Sequence, residues 1–390
     1  LKRKPTAKYR FPWRRGNRFR LLVDGDRFYA AMLASIEAAR HYVLLEMYLF
    51  ESGGVADRFS AALTAAAARG ARVCLLLDDF GCLGLDKKDR QRLVAGGVEL
   101  AIYNPLRLGR WQHNLFRDHR KLLLVDGDVA FTGGAGIADE FDPDLKPGSH
   151  WHETMLEVRG PVVHDWQILF VEVWNRWSDR GLQLPGLPRP EEHRGQRGRV
   201  VAQRSFPGRS EVMRSHVSRI RGARRRVWLA TAYFVPSWKL RRALRRAVVK
   251  GADVRLLLPG PVMDHPAVRQ LACRHYESLL RAGVRIFEYQ PRFLHAKVLL
   301  CDDWVSIGSS NLDRWNYRWN LEANQELADA EIADQVQALF EADFVHCLEI
   351  GYADWRHRSW IRRLQEGVWS RVSAALAWLT EKRRNRSGSG

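Results

Sequence analysis

The apolar positions of this chain gather into short runs, the clearest being Val43 to Phe50, interrupted by Glu46, and Val227 to Val235. Runs of that length, rich in Leu and β-branched residues, read as buried strands, and the longer stretches between them read as helices. Strands alternating with helices of about 10 to 15 residues imply crossover connections and a mostly parallel sheet covered on both faces. No run approaches the roughly 18 to 20 apolar residues that a bilayer-spanning helix needs.

The same elements occur twice. Ala38 to Phe50 (AARHYVLLEMYLF) returns as Gly222 to Phe234 (GARRRVWLATAYF), and Arg69 to Asp78 (RGARVCLLLD) returns as Lys250 to Pro259 (KGADVRLLLP). Gly97 to Pro105 (GVELAIYNP) is matched by Gly283 to Pro291 (GVRIFEYQP), and His119 to Asp126 (HRKLLLVD) by His295 to Asp302 (HAKVLLCD), in the same order. The fold expected is therefore α/β, with two similar lobes, each a mostly parallel mixed sheet flanked by helices, related by a pseudo-twofold. The Pro- and Gly-rich stretch Asp179 to Gly198 reads as the connection. This divides the chain into an N-terminal segment 1–16, a first lobe with linker 17–198, a second lobe 199–350 and a C-terminal segment 351–390. Between Pro105 and His119 the first half has ten more residues than the second, an insertion placed to cover whatever site the motif builds.

Charge narrows the partners. Lys and Arg number 63 against 44 Asp and Glu, a net +19 in 390 residues, which points to a polyanion: nucleic acid or an anionic lipid surface. The 46% hydrophobic content rules out bulk disorder. Five cysteines without a C-x-x-C pair argue against a disulfide framework and a structural zinc site, and fit a reducing cytoplasm. No secretory signal is legible; the start at Leu1 reads as a truncation and Ser387 to Gly390 as a linker remnant. Near the N-terminus, Lys and Arg interleave with Tyr9, Phe11 and Trp13, which suits a lipid interface or a disordered basic arm. Trp360 to Leu379 repeats apolar residues at helical spacing among arginines, an amphipathic helix for the domain or for a membrane.

The chemistry sits in the fourth repeat. His119 and Lys121, and likewise His295 and Lys297, are two apart at the head of an apolar run, so each pair shares a strand face. Asp126 and Asp302 complete the motifs, but at seven residues from the histidine they point away and are placed to brace the turn. Gly133-Gly134-Ala135-Gly136 and Gly308-Ser309-Ser310-Asn311 follow, small residues that let backbone amides and short polar groups approach a phosphate. Imidazole is a good nucleophile toward phosphorus, and a second imidazole near neutral pKa can protonate the leaving oxygen. With two lysines neutralising the phosphate, the set serves metal-free phosphodiester exchange and calls for no metal or cofactor.

Both copies resemble the phospholipase D superfamily, whose signature is H-x-K-x4-D followed by a G-[SG]-x-N-like segment, over about residues 17 to 345. Local detail is most similar to bacterial cardiolipin synthases of the type lacking N-terminal transmembrane helices: Val43 to Phe50, His119 to Gly134 and Gly308 to Asn324 carry it. The resemblance implies catalytic residues His119, Lys121, Asp126, His295, Lys297 and Asp302, with Gly134, Ser309 and Asn311 at the phosphate and Glu153 and Glu322 orienting the imidazoles. Gly136 departs from the pattern where Asn is usual, and the second copy has one residue fewer between Asp302 and Gly308. Glu46, a lone acid in an apolar strand, needs a partner, and its repeat counterpart is Ala230. The implied activity is phosphatidyl transfer between two phosphatidylglycerol molecules through a phosphohistidine, at the cytoplasmic face of a bacterial inner membrane, with no nucleic-acid partner. Lipid hydrolysis, nucleic-acid phosphodiester cleavage and a catalytically silent membrane scaffold are the competing readings; oligomeric state stays open.

Overall fold

The computed structural model describes residues 9–110, 112–184, 195–203, 210–313 and 319–357. One continuous sheet runs through both lobes. Across the first lobe its order is Glu99–Tyr103, Arg72–Asp78, Tyr42–Met47, Lys121–Val125, Val129–Gly133, Thr154–Arg159 and Arg14–Val23. It continues through Gln196–Gln203, Asn320–Ala328, Trp304–Gly308, Val298–Cys301, Arg226–Ala230, Asp253–Pro259 and Arg285–Tyr289, and ends on Cys347–Glu349. Read outward from the middle, the two halves list equivalent strands in the same order, so the pseudo-twofold passes between Arg14–Val23 and Gln196–Gln203. The strand Arg14–Val23 begins inside the segment taken from sequence as terminal, and Gln196–Gln203 straddles the expected lobe boundary.

Two α/β lobes with mixed sheets are what the repeats imply, but along the main strand order parallel pairing is confined to three strands in each. The remainder is antiparallel because each motif strand turns straight back in a hairpin instead of crossing through a helix. The one-residue difference after the motifs lies in these hairpins. Val125 pairs with Val129 around Asp126-Gly127-Asp128, whereas Cys301 pairs with Trp304 around Asp302-Asp303 alone.

Helices cover the sheet by amphipathic logic. In Trp238–Val249, Leu240, Ala243, Leu244 and Ala247 are buried at spacings of three and one while arginines face out, and Ser237 Oγ caps the first turn by accepting from Leu240 N at 3.3 Å. One hydrophobic core, including Trp166, Trp174, Val200, Trp228 and Leu327, is shared by both lobes, and Trp166 Nε1 donates across the seam to Gln325 Oε1 at 2.9 Å. The lobes are thus fixed relative to each other, as a site divided between them requires. All five thiols are free. Among the described residues no helix is long and apolar enough to cross a membrane.

The N-terminal aromatics have partners in the protein, a correction to the lipid-facing expectation. Phe11 is buried, the Arg199 guanidinium lies 3.8 Å from the Tyr9 ring centroid, and Arg197 and Arg199 lie 4.9 and 4.8 Å from that of Trp13. Cation–π contacts with the second lobe use the faces that a membrane would have taken. The amphipathic stretch Trp360 to Leu379 and residues 1–8 lie outside the described residues.

Candidate active site

The two histidines do not lie within the strands they precede. His119 and His295 sit in extended segments just ahead of Lys121–Val125 and Val298–Cys301, and each is tied by its backbone to the opposite lobe. His119 N donates to Leu321 O at 3.0 Å, and His295 N donates to His152 O at 2.8 Å. The accepting residue in each case immediately precedes a glutamate. Glu322 and Glu153 are carried in this way to the histidine of the other lobe.

Their side chains complete the exchange. His119 Nδ1 is 3.0 Å from Glu322 Oε1, and His295 Nδ1 is 2.6 Å from Glu153 Oε2. Sequence order places each glutamate downstream of its own motif; the structure crosses them because the central strands carry each lobe's glutamate to the shared seam. A carboxylate beside Nδ1 favours a proton there and leaves Nε2 for the chemistry; at His295 the Lys297 Nζ also lies 2.7 Å from Nδ1. Both carboxylates are fully buried, and the histidines are 9% and 7% exposed.

Lys121 and Lys297 are also buried. Lys121 Nζ donates to His119 O at 2.7 Å and lies 4.9 Å from the Tyr48 ring centroid; Lys297 Nζ donates to Glu153 Oε2 at 3.2 Å. Burial pulls Lys121 down to about 7 and Lys297 below its ordinary value, partly offset by the glutamates. Burial, reinforced by both lysines, holds His119 and His295 well below the usual imidazole range. Glu322 is pushed up to about 8 by burial, against the pull of Lys121. Desolvation therefore works against every charge in the site, and a phosphodiester anion is the group that would relieve the lysines. Both imidazole shifts favour the uncharged ring that a nucleophile needs.

The small-residue segments differ between lobes for visible reasons. Ser309 Oγ donates to Glu322 Oε2 at 2.5 Å, whereas at the equivalent Gly134 a Cβ would stand 2.1 Å from Glu153 Oε2. Gly136, the departure from the family pattern, is enforced by Leu49: a Cβ there would lie 2.6 Å from Leu49 Cβ and 2.8 Å from its carbonyl oxygen. Asn311, its counterpart, is fully buried with neither amide atom hydrogen-bonded, a polar group that a ligand oxygen would satisfy.

The motif aspartates are not part of this cluster, which corrects their inclusion among the catalytic residues. Asp126 accepts from the backbone N–H of Arg40, His41 and Tyr42, and Asp302 from that of Arg224, Arg225 and Arg226. Asp126 lies beyond the far end of its strand, about 17 Å from Lys121 at roughly 3.3 Å per residue. At φ of 52° and 51° both aspartates occupy the left-handed region that a tight turn needs and that Asp tolerates. Asp302→Ala should cost about 2 to 4 kcal/mol of stability, from lost hydrogen bonds and backbone strain. Its folded fraction should keep kcat near wild type. Denaturant melts paired with active-fraction kinetics check this; a hundredfold fall in kcat of folded protein would return Asp302 to the chemistry.

Glu46 has its partner. Arg120 Nη2 lies 2.6 Å from Glu46 Oε1, with Asp118 on its other side, and this buried network supports the segment bearing His119. Both halves of the pair are missing from the second lobe, where Ala230 and Ala296 stand. The Arg-for-Ala difference between HRK and HAK was the signal for it. Sequence reasoning did not find the aromatic wall: Tyr48 packs 4.5 Å from His119, and Trp151, Phe141 and Phe293 lie 5.1 to 5.5 Å from His295.

Behind Glu153, His152 ties three parts of the chain together. Its Nδ1 is 2.9 Å from Asp24 Oδ1 and its Nε2 3.0 Å from Asp343 Oδ1; Arg292 also reaches Asp24, His150 lies 3.6 Å from it, and Tyr289 stacks on the ring. Burial opposes the charge, but the two carboxylates outweigh it and raise His152 to about 9. With the folded value above the unfolded one, its stabilisation is complete below roughly pH 6.5 and is lost as pH rises through about 9. Melting temperature should therefore fall between pH 7 and 9.5, and His152→Gln should flatten that slope. An unchanged slope in the variant would contradict the assignment.

Similarity to known proteins agrees with the geometry. A family model described as "Cardiolipin synthase, PLD-like domain" matches residues 32–164 and 217–344, one segment in each lobe. The chain belongs to this phospholipase D-like family. It is 37% identical over 360 residues to cardiolipin synthase A of Pseudomonas aeruginosa (strain LESB58), covering 92% of this chain and 72% of that one. It is 36% identical over 377 residues to cardiolipin synthase A of Pseudomonas entomophila (strain L48), covering 94% and 77%. Among solved structures, phosphatidylserine synthase of Haemophilus influenzae Rd KW20 shares the fold at TM-score 0.71 and 12% identity, over 94% of this chain and 96% of that one. Polyphosphate kinase of Porphyromonas gingivalis does so at TM-score 0.59 and 15% identity, over 86% of this chain and 49% of that one.

Proposed function

We propose that this chain is a cardiolipin synthase, a phosphatidyltransferase that joins two phosphatidylglycerol molecules into cardiolipin and releases glycerol. The observation that carries the reading is the crossed pair His119–Glu322 and His295–Glu153, which gathers both motif histidines and both motif lysines into one buried cluster at the seam between the lobes. In the first step His119 Nε2 attacks phosphorus, the bond to the departing glycerol oxygen breaks, and His295 delivers the proton that oxygen needs. In the second, His295 takes the proton of an incoming phosphatidylglycerol hydroxyl, whose oxygen attacks phosphorus and releases His119. Assignment of His119 as nucleophile follows the family resemblance. The lysines and Asn311 hold the non-bridging oxygens, and the substrate's charge lets His295 take up its proton.

Phospholipid substrates and membrane association accompany this family reading. The anionic surface and the cytoplasmic face are the finer part of the proposal, favoured by the net charge of +19. The test is mass spectrometry of products from phosphatidylglycerol vesicles. Cardiolipin with equimolar glycerol supports transfer; phosphatidic acid as the main product would replace it with hydrolysis.

A further inference from the structure

The tip of the insertion ahead of His119 faces solvent. Residues 105–110 are exposed throughout, with Leu106 at 37% and Leu108 at 106% of full exposure. Beside it, the turn after Arg72–Asp78 exposes Phe80 at 51% and Leu83 at 63%. The two loops are joined, since Leu106 N donates to Asp79 Oδ2 at 2.8 Å and Asp79 N to Tyr103 O at 3.2 Å. Four large apolar side chains on adjoining loops exceed the scattered single exposures of an ordinary surface.

The sheet register puts this patch on the rim of the active site. Lys121, Met47, Leu77 and Ile102 form one cross-strand line, so both loops leave the sheet at the level of the histidine segment, about 10 and 14 Å from it at roughly 4.8 Å per strand. The tip is held in shape. Arg107 N donates to Asn114 Oδ1 at 3.0 Å, Asn114 Nδ2 returns a bond to Arg107 O at 2.9 Å, and Asn104 Nδ2 holds His113 O and Phe116 O at 2.9 and 2.7 Å. A loop fixed by its own polar side chains while its leucines face outward is shaped to present them.

Arg107 and Arg110 flank Leu108 and are exposed with it. Leucine between arginines on a convex tip suits the boundary of a bilayer, apolar groups among acyl chains and guanidinium groups on lipid phosphates. A protein partner would need a broader complementary face than a loop tip offers. We propose that the Phe80–Leu83 turn and the 105–110 loop form the surface by which this chain docks on an anionic bilayer, setting the mouth of the site against the membrane from the first lobe. The inference rests on the phosphatidyl-transfer reading, because a substrate anchored by acyl chains must enter from that surface. The second lobe lacks the insertion.

The test uses the full chain with vesicles of phosphatidylglycerol and phosphatidylcholine, and a short-chain phosphatidylglycerol below its micelle concentration. Leu106→Ser with Leu108→Ser touches no core position, and matching melts confirm the fold. The variant should bind vesicles at least about tenfold more weakly. Its turnover of the dispersed substrate should be unchanged. Arg107→Ser and Arg110→Ser should each weaken binding to the anionic vesicles about fivefold and leave the weaker binding to neutral ones alone. Flotation of the leucine variant equal to wild type, or an equal loss of turnover on dispersed substrate, would overturn the proposal. So would wild-type protein that ignores vesicles altogether, which would give the patch to a protein partner. If wild type makes no cardiolipin but its flotation still depends on the leucines, docking stands and the transfer reading fails.

Discussion

His119→Ala and His295→Ala should each lower cardiolipin formation by at least about 10⁴-fold, and the double variant should be scarcely worse than either single one. Groups that act on the same two steps are not additive: once either is gone, only the binding and electrostatic remainder of the site is left. The two variants should part company on an activated substrate. A phosphodiester with a nitrophenolate leaving group needs no proton on departure, so His295→Ala should still release nitrophenolate, while His119→Ala, lacking the nucleophile, should not. Burst kinetics on that substrate make the comparison, and release by His119→Ala alone would exchange the two roles. The lysines cannot substitute for either ring, being buried and engaged with the backbone and the carboxylates.

The second large effect follows from the crossing of the lobes. Glu322→Gln should slow the covalent step about 10³-fold with little change in KM, because an amide at that position no longer fixes the His119 proton on Nδ1. Glu153→Gln should act on His295 instead, so its defect should be relieved by the nitrophenyl substrate while that of Glu322→Gln is not. Pairing within each lobe would give the reverse pattern. Glu322→Asp, which keeps the charge but shortens the reach, should recover part of the rate, which a purely structural role would not require. Single-turnover rates on the two substrates distinguish these outcomes.

Much of this was legible in the sequence because the chain repeats itself. One His-x-Lys on a strand is an ordinary solvated face, whereas two in matching contexts imply two lobes meeting at one phosphate. The odd spacing from His119 to Asp126 already directed the aspartate away from the site, and the structure gives it three backbone amides to hold. What a linear reading could not supply was the exchange of Glu153 and Glu322. It depends on Gln196–Gln203 and Arg14–Val23 being neighbours at the centre of one sheet, a pairing between residues about 180 apart. The aromatic segment from Tyr9 to Trp13 was misjudged for a related reason. Composition marks such rings as suited to an interface, but only tertiary structure shows arginines of the second lobe already stacked on them. The apolar tip at Leu106 and Leu108 was visible as an insertion, yet whether it covered the site or projected from it depended on Asn104, Asn114 and Asp79 fixing its shape.

The central claim is that one composite site passes a phosphatidyl group through a histidine. It is tested most directly by quenching the enzyme with alkali during turnover of phosphatidylglycerol and mapping the adduct on its peptides by mass spectrometry. A phosphatidyl group on His119, formed and lost at the rate of cardiolipin synthesis and accumulating in His295→Ala with the nitrophenyl substrate, is the predicted result. Full turnover with no adduct on either His119 or His295 at any time would contradict the account.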